Sequence, residues 1–196
     1  MAPIVGYLVE GKDGRHGDPG TGYNYVLAGN GLFLETRNGL LDVRISLAEA
    51  EVRGLSPLDP YVTLVHGKVP SGLLQTAVNT MWLYPEEELY LAVVWDGQRY
   101  ALKQPPQERS TARVSYEVVP DTVLSLHSHG RMHAFFSETD DRDETGLILS
   151  LVAGQVDQWP IPALLRICAY GFFAPLPFRE VISEDGPLPI REHTSV

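Results

Sequence analysis

LHSHGRMHAFFSETDDRD, residues 126–143, gathers His127, His129, His133 and Asp140, the side chains of this chain best suited to binding a metal. Ahead of it, residues 122–126 (TVLSL) form an apolar segment that predicts a buried strand. Residues i and i+2 of a strand share a face. His127 and His129, at the strand's end, can therefore aim two imidazoles at one point. After seven intervening residues comes Ser137-Glu138-Thr139-Asp140. A serine followed three places on by an acidic residue marks a helix start. Asp140 then lies in the first helical turn and can return to the histidines. Two neutral imidazoles and one carboxylate make a three-ligand zinc site with its fourth position open to water, the arrangement of a catalytic zinc. Ser137 serves as N-cap with Asp140 completing the cap, which is compatible with ligation because a cap does not use every lone pair. His133 falls in the connecting loop and reads as a loop residue.

Outward from this stretch, composition sets bounds. The chain has 196 residues, 44% of them hydrophobic and 20% charged, enough to bury a core. Its net charge of −10 argues against nucleic acid or an anionic membrane as main partner, since both attract Lys/Arg clusters. The single cysteine, Cys168, sits in the apolar run LLRICAYGFF and is expected buried and inert. It also removes cysteine-rich zinc sites and the zinc deaminases, which need a Pro-Cys-x-x-Cys pair. The opening MAPIVGYLVEGKDG lacks a basic region followed by a long apolar stretch, and no segment approaches the ~20 apolar residues of a membrane span. The expectation is a cytoplasmic protein.

Upstream, residues 4–9 predict a strand, and residues 11–22 an exposed loop. Residues 23–28 and 31–35 flank the turn Gly29-Asn30 as a hairpin. Residues 40–45 and 62–66 predict further strands, with one or two helical turns over 46–53. A helix starts at Pro70-Ser71, with Leu73, Leu74, Ala77 and Met81 on one face, and ends at Tyr84-Pro85. Strands are expected over 89–95, 100–103 and 112–119, with a polar loop over 104–111. After the His-x-His segment and its helix, residues 147–152, 163–170 and 178–182 are β candidates. From Ser183 onward the chain is polar and expected to fray. The division is a β-rich N-terminal extension over 1–68, a domain over 69–183 and a polar tail over 184–196.

His127-x-His129, seven residues, Ser137, two residues, Asp140 resembles the JAMM signature of the JAB/MPN metalloproteases. The texts AFFSETDDRDETG, YGFF and PLP resemble a bacterial subgroup, protein A of the PRTRC cassette. The resemblance spans roughly residues 72–182. It implies an α+β fold, a curved mixed β-sheet with flanking helices, and a zinc held by His127, His129 and Asp140. It implies an isopeptidase or peptidase acting on a ubiquitin-like protein or its conjugates, with an activating-enzyme-like cassette protein as a further partner. Ser137 would steady the oxyanion. The family's remaining catalytic residue is a glutamate at the start of the strand after the first helix, where Glu86, Glu87 and Glu88 compete. The family text Pro-x-Glu-x-x-Gly lays Pro85 and Glu87 onto the pattern and favours Glu87, while Tyr90 departs from the glycine. Glu88 and then Glu86 remain alternatives. Gly130 stands where the family usually has proline, which should loosen the loop. The competing reading is a zinc-stabilised, catalytically silent interaction module. Scaffolding MPN domains usually lose motif residues, and all four are present here.

Overall fold

The computed structural model describes residues 3–111 and 113–192. The chain divides into two compact units, Met1–His66 and Gly67–Val196.

The first unit holds strands β1 (Val5–Gly11), β2 (Gly14–Asp18), β3 (Tyr23–Ala28), β4 (Gly31–Arg37), β5 (Leu41–Glu49) and β6 (Tyr61–Leu64). They form one sheet in the order β2-β1-β3-β4-β5-β6, with β1 and β3 parallel and the other neighbours antiparallel. Leu8, Val26, Ala28 and Phe33 build a core against Leu58. Two expectations fail here. Residues 11–22 are not all loop, because β2 pairs back onto β1. Every residue of β2 is exposed and none is apolar, so hydrophobic periodicity is blind to it. Residues 46–53 form no helix: β5 continues to Glu49, paired along β4. The ladder, reset by a bulge between Leu32 and Phe33, overrides local helical preference.

The second unit runs α1 (Ser71–Trp82), β7 (Leu89–Trp95), β8 (Tyr100–Lys103), β9 (Gln107–Arg109), β10 (Val114–Tyr116), β11 (Thr122–Ser128), α2 (Glu138–Asp143), β12 (Leu147–Ala153), β13 (Ile161–Ala169), β14 (Phe172–Pro175), α3 (Phe178–Val181) and β15 (Ile190–Glu192). It is α+β: an open mixed sheet ordered β14-β13-β12-β11-β7-β8, with β15 on β13 and a separate β9–β10 hairpin. The strand carrying the histidines, β11, sits in the middle, parallel to β12 and antiparallel to β7. Central strands with both faces covered read as continuous apolar runs, and all but the first residue of β11 and the last of β7 are buried. On one face Tyr90, Ala92 and Val94 pack with Val114, Tyr116 and Val119. Helix α1 lies against β7 and β8. Its buried residues Leu74, Ala77, Val78 and Met81 follow the i, i+3, i+4, i+7 rule. Leu73, expected on that face, is only half-buried, and Val78 takes its place.

Four local expectations change in this unit. The loop over 104–111 contains β9, and the strand over 112–119 shrinks to Val114–Tyr116; Ala112 lies outside the described residues. Residues 178–182 are not a strand, because Pro177 leads into the single turn of α3. Strand β14 follows β13 through Tyr170 and Gly171, both at positive φ (53° and 85°), a type I′ pattern whose strand twist suits a hairpin. The tail does not simply fray: Ile190 is buried and β15 pairs parallel with β13, while residues 193–196 lie outside the described part.

Candidate metal centre

The centre grows from the end of β11. His127 and His129 share a face there, their ring centroids 5.1 Å apart. Asp140 comes from α2. Ser137 caps this helix: its Oγ accepts from the Asp140 backbone N–H at 3.2 Å. In return Asp140 Oδ2 accepts from the Ser137 N–H at 2.6 Å and from its hydroxyl at 2.7 Å. The capping box thus occupies one carboxylate oxygen and leaves Oδ1 facing His127 Nε2 at 3.3 Å. Ligand atoms of His127, His129 and Asp140 all lie within 4.8 Å of one another. Both Ser137 and Asp140 keep the places their spacing predicts, and His133 stays exposed and outside the cluster.

These donors fit a metal. His127 Nε2 and His129 Nδ1 are buried and have no hydrogen-bond partner. An unsatisfied buried polar atom costs roughly 1–3 kcal/mol, so two side by side, next to a carboxylate oxygen, ask for a shared cation. Burial holds the His127 imidazole down to about 4 and lowers His129 as well, against the opposing pull of the Asp140 charge. Both rings are therefore neutral near pH 7, as metal ligation requires. Two nitrogens and one oxygen suit zinc or a similar transition metal.

The register of β7 decides among the three glutamates. Leu89 pairs with Ser128 and Tyr90 with His127, so one step further Glu88 falls opposite His129 and on the histidines' face. Glu88 is 8% exposed. Its carboxyl is pushed up by burial and then by the neighbouring Asp140 charge. Glu87 turns away, its carboxylate 3.4 Å from Arg109, and Glu86 pairs with Arg131 at 2.9 Å. The strand register puts Glu88 on the histidines' face, where the sequence favoured Glu87.

The Phe135/Phe136 pair, Arg166 and Gly154 escaped the sequence reading, and the loosened loop expected at Gly130 is overturned. Phe135 lies edge-on to His129 at 4.5 Å and Phe136 edge-on to His127 at 6.4 Å. Arg166 of β13, a lone charge in an apolar run, reaches α2. Such a charge in a buried strand is the available signal, because arginine is seldom buried without a partner. Gly130 is not slack. It sits at φ +55°, an added Cβ would lie 2.6 Å from the Pro85 carbonyl, and its own carbonyl accepts from Val156 at 3.0 Å. Proline, fixed near φ −65°, cannot take this conformation, so the loop has its own path here. Gly154 has a related role: an added Cβ would meet the backbone of residues 132–134 within 2.6 Å, so only glycine lets that loop cross the end of β12.

Residues 77–166, from the middle of α1 to Arg166, match the family model of prokaryotic homologs of the JAB domain. That stretch of the second unit is similar to prokaryotic JAB domains. No curated protein matches the chain. The match covers Glu88, His127, His129, Ser137 and Asp140. Cys168, just beyond the match, is fully buried, with its thiol 2.9 Å from the Glu144 carbonyl and its pKa raised by burial, a packing residue as expected. No helix among the described residues is long and apolar enough to cross a membrane.

Proposed function

We propose that the protein is a zinc-dependent isopeptidase or peptidase of the JAMM type, cytoplasmic, cleaving near the C-terminus of a ubiquitin-like protein or its conjugates. The observation that carries this reading is Glu88, a buried carboxylate on the histidines' face beside Asp140. A purely structural zinc site has no use for a second, unligated carboxylate held there at a desolvation cost. His127, His129 and Asp140 would hold the ion, which when bound supplies Lewis-acid chemistry, acidifying water and polarising a carbonyl. Glu88 takes a proton from the attacking water and hands it to the leaving amine, a task helped by its raised pKa. The Ser137 hydroxyl, which donates to Asp140 Oδ2 at rest, can turn to the oxyanion while its backbone N–H keeps the cap. The resemblance to PRTRC protein A supports an activating-enzyme-like cassette protein as partner.

Replacing Glu88 by Gln keeps shape and removes the base. Cleavage of a cassette-encoded ubiquitin-like fusion should fall by roughly two to four orders of magnitude with zinc content unchanged, and Glu87→Gln should cleave like wild type. A zinc-loaded wild type that cleaves no such fusion, with Glu88→Gln indistinguishable from it, would favour the silent interaction module.

A further inference from the structure

Helix α2 carries Asp140, yet none of its six residues is buried. A helix this short is unstable alone in water, so apolar packing does not set where Asp140 points. The capping box ties Asp140 only to Ser137 of the same segment. At the C-terminal end the Cys168 thiol of β13 reaches the Glu144 carbonyl; the side-chain ties to the helix itself come from Arg166. Ser125 pairs with Ser150 and Ser150 with Arg166, which puts Arg166 on the histidines' face, one row from His127. It is 7% exposed. Its Nη1 donates to Asp141 Oδ1 at 2.6 Å and its Nε to Glu144 Oε2 at 3.0 Å. Nη2 lies 2.9 Å from the same Glu144 oxygen without the alignment of a hydrogen bond. The guanidinium carbon lies 3.7 Å from the ring centre of Phe136 and 4.0 Å from that of Phe173. One side chain thus grips the residue after Asp140, the residue that ends α2, and the residue before Ser137.

We propose that Arg166 is a positioning residue for the metal centre, clamping the loop and α2 to β13 so that Asp140 Oδ1 faces the two histidines. This rests on the reading of His127, His129 and Asp140 as a zinc site. The planar fork explains the residue type: lysine, a point charge, can neither bond two carboxylates in this geometry nor lie flat between two rings.

The test is zinc affinity, read by competition with a chromophoric chelator, alongside the melting temperature of metal-free protein. Groups that orient metal ligands typically contribute 10–100-fold in affinity, and Arg166→Met is expected to lose that much. Arg166→Lys should recover only part of the loss. Asp141→Asn, at a side chain 47% exposed, should fold normally and lose affinity by a smaller factor. The double variant Arg166→Met/Asp141→Asn should bind no more weakly than Arg166→Met, because both changes break one link. A folded Arg166→Met that melts lower but binds zinc like wild type would overturn the positioning role and leave a structural one. Should Arg166→Met not fold, Asp141→Asn with wild-type affinity overturns it instead. A wild type that takes up no zinc removes the metal centre itself, and the positioning role with it.

Discussion

Two arginine–carboxylate clusters sit on the two large sheets of this chain, and they are near mirror images in charge. In the first unit one carboxylate, Glu35 of β4, takes Arg15 of β2 at 2.6 Å and Arg44 of β5 at 2.6 Å. In the second, one guanidinium, Arg166, takes Asp141 and Glu144. The shortest contact in each is 2.6 Å. Their reach differs. Glu35 links strands of a sheet already joined by backbone ladders, so it adds to something that exists without it. Arg166 links a strand to a helix with no buried residue, and that helix bears Asp140 of the candidate metal centre. An ion pair matters for function in proportion to what else holds its two ends together.

The largest effect should come from breaking the second cluster. Glu144→Ala leaves Arg166 buried with only the half-exposed Asp141 for partner, and uncompensated buried charge is costly. Chemical denaturation should report a loss of about 3 kcal/mol for the second unit. A loss no greater than that of Glu35→Gln would abolish the contrast between the clusters. Zinc removal ranks next. With zinc at a hundredfold excess over its Kd, chelation should remove about 2.7 kcal/mol. Hydrogen exchange should then quicken at residues 137–144 and stay unchanged in β3, β4 and β5 around Glu35; equal quickening in both places would contradict the division of roles.

Gly130→Ala acts on the loop that carries Phe136 to Arg166. The left-handed backbone alone costs about 1–2 kcal/mol for alanine, and the contact with the Pro85 carbonyl adds to it. An unchanged melting temperature would show that the loop has another path. The smallest effect belongs to Glu35→Gln. Burial would raise the pKa of Glu35, but hydrogen bonds from Arg15 and Arg44 outweigh it and leave it lowered. A lowered folded pKa gives stability that is complete above the ordinary glutamate value and lost as pH falls through the folded one. Solvent screening limits it to about 1 kcal/mol or less. Glu35→Gln should flatten the acid limb of the stability curve by that amount, and a curve superposable on wild type would leave the first cluster with no role in stability.

Much of the centre was legible because its rules are local. A strand puts i and i+2 on one face, which delivers His127 and His129. A capping box joins Ser and the residue three places on, which delivers Ser137 and Asp140, and the box then frees one oxygen of Asp140 for the centre. The helix α1, the hairpin β3–β4 and the apolar strands β7 and β11 followed from periodicity and turn residues for the same reason. Where the signal was not local, it failed. Strand β2 has no apolar residue, and β15 is held by pairing alone with β13 and one buried isoleucine.

The chain by itself therefore determined the candidate ligands, the capped helix and the burial of the strand that carries the histidines, since each depends on neighbours within about four residues. Tertiary structure decided which glutamate joins them. Three adjacent carboxylates differ only in phase, and a one-residue slip turns a strand's side chains to the opposite face. The pairing of Leu89 with Ser128 sets that phase and turns Glu88 inward. Tertiary structure also decided the partner of α2, because Arg166 meets Asp141 from 25 residues away, and no spacing along the chain announces a contact made through the width of a sheet.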